Sequence, residues 1–149
     1  MVVDIYPGKG SLGGIYTGLV SANTFYSLVV ACDMPFLNRA LLRYLVGLAP
    51  DFDVVVPNVN GWIEPLHAIY SKNCLTPIEK LLHQGKLGAR QLFDLVNTRY
   101  VCEDEIIKFD PERLSFFNIN TKDDLEKAKT LIRHRETLKQ LEEINSISD

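Results

Sequence analysis

The residues best suited to chemistry sit at the end of one apolar run, Tyr26–Leu37, which reads YSLVVACDMPFL. Ser27 to Ala31 are small or apolar, and Cys32, Asp33, Met34 and Pro35 stop the run abruptly. Such a run, ended by a turn signal, predicts a buried parallel strand. Pro35 has no N–H and steers Met34 away from the helical region, so Asp33 falls at the strand's carboxyl edge. Open α/β sheets bind their ligands at that edge. A carboxylate there needs water, a hydrogen-bond donor or a cation. Asp33 is thus a candidate ligand of Mg²⁺, with phosphates and water filling the remaining positions. The same spacing also fits an aspartate that shapes the turn before Asn38.

Three further groups are candidates. Pro7–Gly14 (PGKGSLGG) carries Gly8, Gly10, Gly13 and Gly14 just ahead of a helix predicted from about Leu12 to Ala22. Glycines at a loop-to-helix junction let backbone N–H groups approach an anion closely. The spacing matches neither the dinucleotide fingerprint in its usual context nor a Walker loop, and it fits close helix packing equally well. Asn118 and Asn120 flank Ile119 at a period of two, which puts both amides on one side of a strand end. There they could read hydroxyls, hold water on a metal, or cap the next helix. Arg90 opens a short predicted helix, Ala89–Asn97, and faces either solvent or an anionic ligand. His67 has no partner at ligand spacing and reads as a structural or surface residue rather than a catalytic one. Trp62, beside the Asn60–Gly61 turn, reads as a partly buried core residue, with ring stacking as its other use.

These groups need a scaffold. The 149 residues make one domain, 46% hydrophobic and 23% charged, which is an ordinary globular composition. The net charge of −3 and the lack of a basic stripe argue against nucleic acid as a partner. No apolar run approaches a membrane span, and no signal pattern opens the chain. Cys32, Cys74 and Cys102 are odd in number and form no CxxC pair. That speaks against zinc and disulfides and for a reducing cytoplasm. Val2–Tyr6 reads as a strand end, Arg39–Leu48 as a helix capped by Asn38, and Asp53–Pro57 and Leu66–Tyr70 as strands. A helix follows over Thr76–Gln84, then strands at Tyr100–Cys102, Glu105–Phe109 and Phe116–Asn120. The last helix runs from Lys122 to about Ile144, behind a Thr121/Asp124 capping box, and its tail is expected to fray.

Four stretches occur in the order found in one family. They are GKGSLGGIYTGL (Gly8–Leu19), ACDMPFL (Ala31–Leu37), EPLHAIYS (Glu64–Ser71) and FFNINTKDDL (Phe116–Leu125). From residue 7 to about 130 the chain resembles the molybdenum cofactor guanylyltransferases, the MobA-like nucleotidyltransferases. The resemblance implies an α/β fold: a Rossmann-like, mostly parallel sheet flanked by helices, of the nucleotide-diphospho-sugar transferase type. It implies transfer of GMP from GTP to molybdopterin with Mg²⁺ and release of pyrophosphate. On this match Asp33 binds the metal, and Gly10, Leu12, Gly13 and Gly14 lie beside the guanine nucleotide. Asn118 and Asn120 match the acceptor side, and Arg90 matches a basic residue facing the pterin phosphate.

Two departures stand out. Ser11 occupies a position where the family has proline. The family's opening strand, with its LxGGxSxRMG loop, has no counterpart here. The chain is therefore expected to be an N-terminally truncated partial domain, inactive alone, with an open sheet edge that a homo-oligomer or partner chain covers. The alternatives are a non-catalytic remnant that binds pterin or a partner, and a cytidylyl- or sugar-nucleotide transferase.

Overall fold

The computed structural model describes residues 5–146, so Val2, Val3 and Asp4 of the expected first strand lie outside the described residues. Five strands form one mixed sheet: β1 (Tyr26–Val30), β2 (Val54–Val59), β3 (Trp62–Ile63), β4 (His67–Ser71) and β5 (Thr98–Cys102). Their spatial order is β1-β4-β2-β3, with β5 on β2 as well. β2 pairs parallel with β5, while β4 pairs antiparallel with both β1 and β2. Hence β1, β2 and β5 share one direction, and their carboxyl ends share one edge.

Helices cover both faces. Helix α1 (Gly10–Ser21), α3 (Leu75–His83) and the single turn α4 (Arg90–Phe93) lie on one side. There Leu12, Ile15 and Leu19 of α1, at helical spacing, pack with Val54, Val56, Tyr70, Ile78 and Leu92. Helix α2 (Arg39–Leu48) and α5 (Glu103–Ile106) lie on the other, where Leu41 and Leu45 meet Val55, Ile69, Val101 and Ile106. Asn38 caps α2 as expected: its Oδ1 accepts from Leu41 N at 3.0 Å, and its Nδ2 donates to Phe109 O at 2.8 Å. Helix α6 (Lys122–Ser146) starts at the expected box, with Asp124 N donating to Thr121 Oγ1 and Thr121 N to Asp124 Oδ2.

Several local expectations are corrected. The Tyr26–Val30 run is a strand but not a buried parallel one. It is antiparallel to β4 and forms the sheet's edge among the described residues, with Leu28 and Val30 exposed. Phe25 O accepts from Lys72 N, and Ala31 N donates to Leu66 O, so the odd-numbered residues bond to β4. By alternation the backbone groups of Tyr26, Leu28 and Val30 face outward. Beside them runs an apolar groove of about 310 Å³ lined by Leu28, Val46, Pro50 and Ile69. Glu105–Phe109 is not a strand. Glu105 accepts from Cys102 N at 3.0 Å and bonds Arg99 and Tyr44, which turns this segment into α5. Phe116–Asn120 is not a strand either. The buried Asp110 carboxylate accepts from Leu114 N and Ser115 N, winding Leu114–Phe116 into a 3₁₀ turn. The helix expected over Ala89–Asn97 shrinks to the four residues of α4.

Candidate functional site

The site begins where β1 ends. Asp33 lies three residues beyond Val30, at the carboxyl edge shared with β2 and β5. Its backbone oxygen accepts from Ile119 N at 2.9 Å, which fixes the Asn118 segment beside it. The Oδ1 atoms of Asp33 and Asn118 are both shielded from solvent and lack a hydrogen-bond partner among the described residues. A buried acceptor left without a donor costs about 1–3 kcal/mol. Two oxygen acceptors in this state, one residue apart across a backbone hydrogen bond, suit a hard cation or its water. Among the described residues no cluster of three His, Cys, Asp or Glu side chains could hold a metal. A cation here would have to draw on the carboxylate and amide oxygens and on groups from outside the chain.

A second carboxylate shares this corner. Val30 pairs with His67, and Ala31 N donates to Leu66 O at 2.9 Å. The ladder ends there, and the turns that follow on each strand leave the Glu64 carboxylate within reach of the Asp33 charge. Burial raises the Glu64 pKa; the Trp62 indole directed at its carboxylate opposes the shift, and the negative charge of Asp33 adds to it. Trp62 itself is 66% exposed, not a core residue. The Asn60–Gly61 turn, with both residues at positive φ, holds it at the tip of the β2–β3 hairpin, where Val59 pairs with Trp62. Sequence reading passed over Glu64 and favoured a core place for Trp62, with ring stacking only as its other use. The signal lay in the register between the Asp33 and Glu64–Ser71 stretches, which needs the strand pairing.

Below the corner lies His67, wholly buried, with its ring against Phe116 at 5.0 Å. Of the structural or surface place its spacing suggested, burial leaves the structural one. Neither ring nitrogen has a partner among the described residues. Burial pushes its pKa down to about 4, although the Asp110 charge works the other way.

The remaining candidates lie apart. The Asn118 and Asn120 amides do not share a strand face. Asn118 is half-buried, while Asn120 is exposed and its N–H donates to Asp124 Oδ2 at 3.2 Å, within the α6 cap. The glycine-rich turn leads into α1, whose chain direction brings its N-terminus to the same sheet edge as Asp33. Gly10 has φ +61°, and a Cβ there would lie 3.2 Å from Leu87 O. A Cβ on Gly13 would lie 2.9 Å from Tyr6 O. Leu12 is fully buried in the core, so only its backbone can meet a ligand. Gly14 is exposed and open. Arg90 is exposed at the start of α4, three residues past the Leu87 that touches Gly10.

Known proteins resemble this chain in sequence and fold. Residues 1–101 match the model of the MobA-like NTP transferase domain. A molybdenum cofactor guanylyltransferase of Desulfosudis oleivorans is 41% identical over 134 residues, covering 89% of this chain and 66% of that protein. A probable molybdenum cofactor guanylyltransferase of Pelotomaculum thermopropionicum is 37% identical over 137 residues, 92% of this chain and 67% of that one. The crystal structure of molybdopterin-guanine dinucleotide biosynthesis protein A from Archaeoglobus fulgidus superposes with a TM-score of 0.76 at 32% identity. It covers 88% of this chain and 67% of its own. The chain thus spans roughly two-thirds of the length of the relatives it matches. Among the described residues no helix is long and apolar enough to cross a membrane.

Proposed function

Because the chain belongs to the MobA-like NTP transferase family, we propose that it serves molybdenum cofactor biosynthesis by transferring GMP from GTP to molybdopterin. A phosphate oxygen of the acceptor forms a new bond to the α-phosphorus. The bond to the β-phosphate breaks with its electron pair, and pyrophosphate leaves. No side-chain nucleophile is needed, because the acceptor is already an anion. The protein's task is positioning and charge neutralisation.

The observation that carries this reading is the pair of buried, unpartnered oxygens of Asp33 and Asn118 at the carboxyl edge. They fit Mg²⁺, which when bound neutralises phosphate charge. Asp33 would hold the ion and Asn118 would help to hold it or its water. The Asn118 and Asn120 amides would donate to the acceptor. The N–H groups of Gly10, Ser11 and Leu12 that open α1 would face the nucleotide, with Gly13 and Gly14, whose N–H groups belong to the helix, beside it. Arg90 would meet a phosphate. The open edge of β1, with its apolar groove, is where a further strand would add, from a second copy or a partner chain.

Turnover of GTP and molybdopterin by the purified chain with Mg²⁺, read as pyrophosphate, tests this. Release that depends on both substrates supports guanylyl transfer. Release with CTP in place of GTP reassigns the nucleotide. Molybdopterin binding without any release identifies a binding module instead.

A further inference from the structure

We infer that Trp62 and Glu64 form a recognition pair for a 2-amino-4-oxopyrimidine ring, the ring shared by pterins and guanine, beside Asp33. This deepens the reading above and rests on it, since that reading brings such a ring to this corner.

Trp62 has the greatest fractional exposure among the exposed large hydrophobic side chains. An indole held at the tip of a tight hairpin, rather than in a core, offers its face to a planar partner. Glu64 is two residues further on, so both side chains leave the same side of the extended chain. The indole lies close enough to the carboxylate to favour its charged form, which keeps the two side chains together. One donor does not saturate a carboxylate, which has about four acceptor positions.

Ring chemistry then selects the ligand. In pterin and in guanine, the exocyclic amino group and the adjacent ring N–H form a side-by-side donor pair. A carboxylate accepts such a pair in fork fashion. Adenine presents a ring acceptor at that place and would be repelled. Because β1 and β4 pair up to Val30 and His67, just before Asp33 and just after Glu64, a ring held here would carry its phosphate toward the proposed cation. The ring has two sources, the pterin acceptor and the guanine of the nucleotide.

Trp62 is the chain's single tryptophan, so its emission reports this position alone. The unaltered chain would be titrated with 6-hydroxymethylpterin, GMP and AMP. Saturable quenching by pterin or GMP, with none by AMP, is expected. Tighter pterin binding assigns the pair to the acceptor, and tighter GMP binding assigns it to the nucleotide. Glu64→Gln, whose amide nitrogen meets a ring donor, should weaken binding by about tenfold with an unchanged melting temperature. Trp62→Phe, followed by calorimetry, should weaken it as well. No saturable response, an equal response to AMP, or wild-type affinity in Glu64→Gln would overturn the inference. Pyrophosphate release with unchanged KM for both substrates in Glu64→Gln refutes the pair and leaves guanylyl transfer standing. Ring binding without release does the reverse.

Discussion

At the Asp33 corner, buried oxygens lack donors, whereas at the glycine-rich turn the neighbouring backbone already accounts for two of the glycines. Both regions stand at the same edge of the sheet, and both belong to stretches shared with guanylyltransferases. Their physics differs. Among the described residues no group donates to the Oδ1 atoms of Asp33 and Asn118, so a water or a ligand has to serve them. At the turn, Tyr6 O and Leu87 O crowd Gly13 and Gly10, so packing suffices there. The corner leaves room for an added group, while two of the turn's glycines are explained by their neighbours.

The largest effect should come from the corner. Asp33→Ala should lower pyrophosphate release by at least about 10³-fold, or about 4 kcal/mol of transition-state stabilisation. Thermal stability should stay level or rise slightly, because Oδ1 has no hydrogen-bond partner among the described residues and the side chain's charge acts against that of Glu64. Normal turnover at saturating Mg²⁺ would remove Asp33 from the mechanism and erase the contrast between the two regions.

The floor of the corner should show in the pH dependence of stability. Unfolded, His67 titrates near 6.5; folded, burial lowers it to about 4. Between these values the unfolded chain takes up a proton that the folded one refuses. Stability should therefore fall by about 3 kcal/mol as pH drops through that window. Glu105 acts in a lower window. Burial alone would raise its carboxyl, but hydrogen bonds from Arg99, Tyr44 and Cys102 outweigh it and bring it to about 2. Its contribution is present above the ordinary glutamate range and is lost from there down toward pH 2. Urea midpoints across pH would separate the two. His67→Leu should flatten only the upper window, and a slope retained in that variant would mean the ring is not buried neutral.

The sequence disclosed what local chemistry decides. Asn38 before a helix, Asn60–Gly61 in a hairpin and the Thr121/Asp124 box each satisfy their own backbone, and each appears as expected. Partner choice was hidden. An apolar run such as Ser27–Ala31 reads alike at the centre and the edge of a sheet, so neither β1's position nor its antiparallel pairing could be foreseen. Asp110 and Glu105 were also illegible, because each redirects a segment through hydrogen bonds that depend on the chain's return. Glu64 belongs with Asp33 only through register, and Trp62 is exposed because its turn projects it from the sheet.

The turn's own tests are smaller. Gly13→Ala must push its methyl against Tyr6 O and the Lys9 Cβ, at 2.9 and 3.0 Å, neither a flexible side-chain end. A loss of about 1–3 kcal/mol is expected. That would lower the melting temperature by roughly 2–4 °C per kcal/mol. An unchanged melting temperature would show that the turn yields, and would reopen the question of why glycine stands there.

Gly14→Ala is the finest discriminator. Gly14 lies inside α1, exposed, with nothing within 4 Å of a Cβ. Alanine should therefore stabilise the chain by about 0.5–1 kcal/mol through helix propensity and the unfolded state's lost freedom. Packing gives no reason for glycine at this position. A nucleotide lying against the start of α1 does, because a methyl would stand between it and the backbone. Calorimetry with GTP and Mg²⁺ on this variant, alongside its melting curve, separates the two accounts. Weaker GTP binding in a more stable protein would make the turn a ligand surface in its own right. Unchanged binding would leave it as scaffold and confine the chemistry to the Asp33 corner.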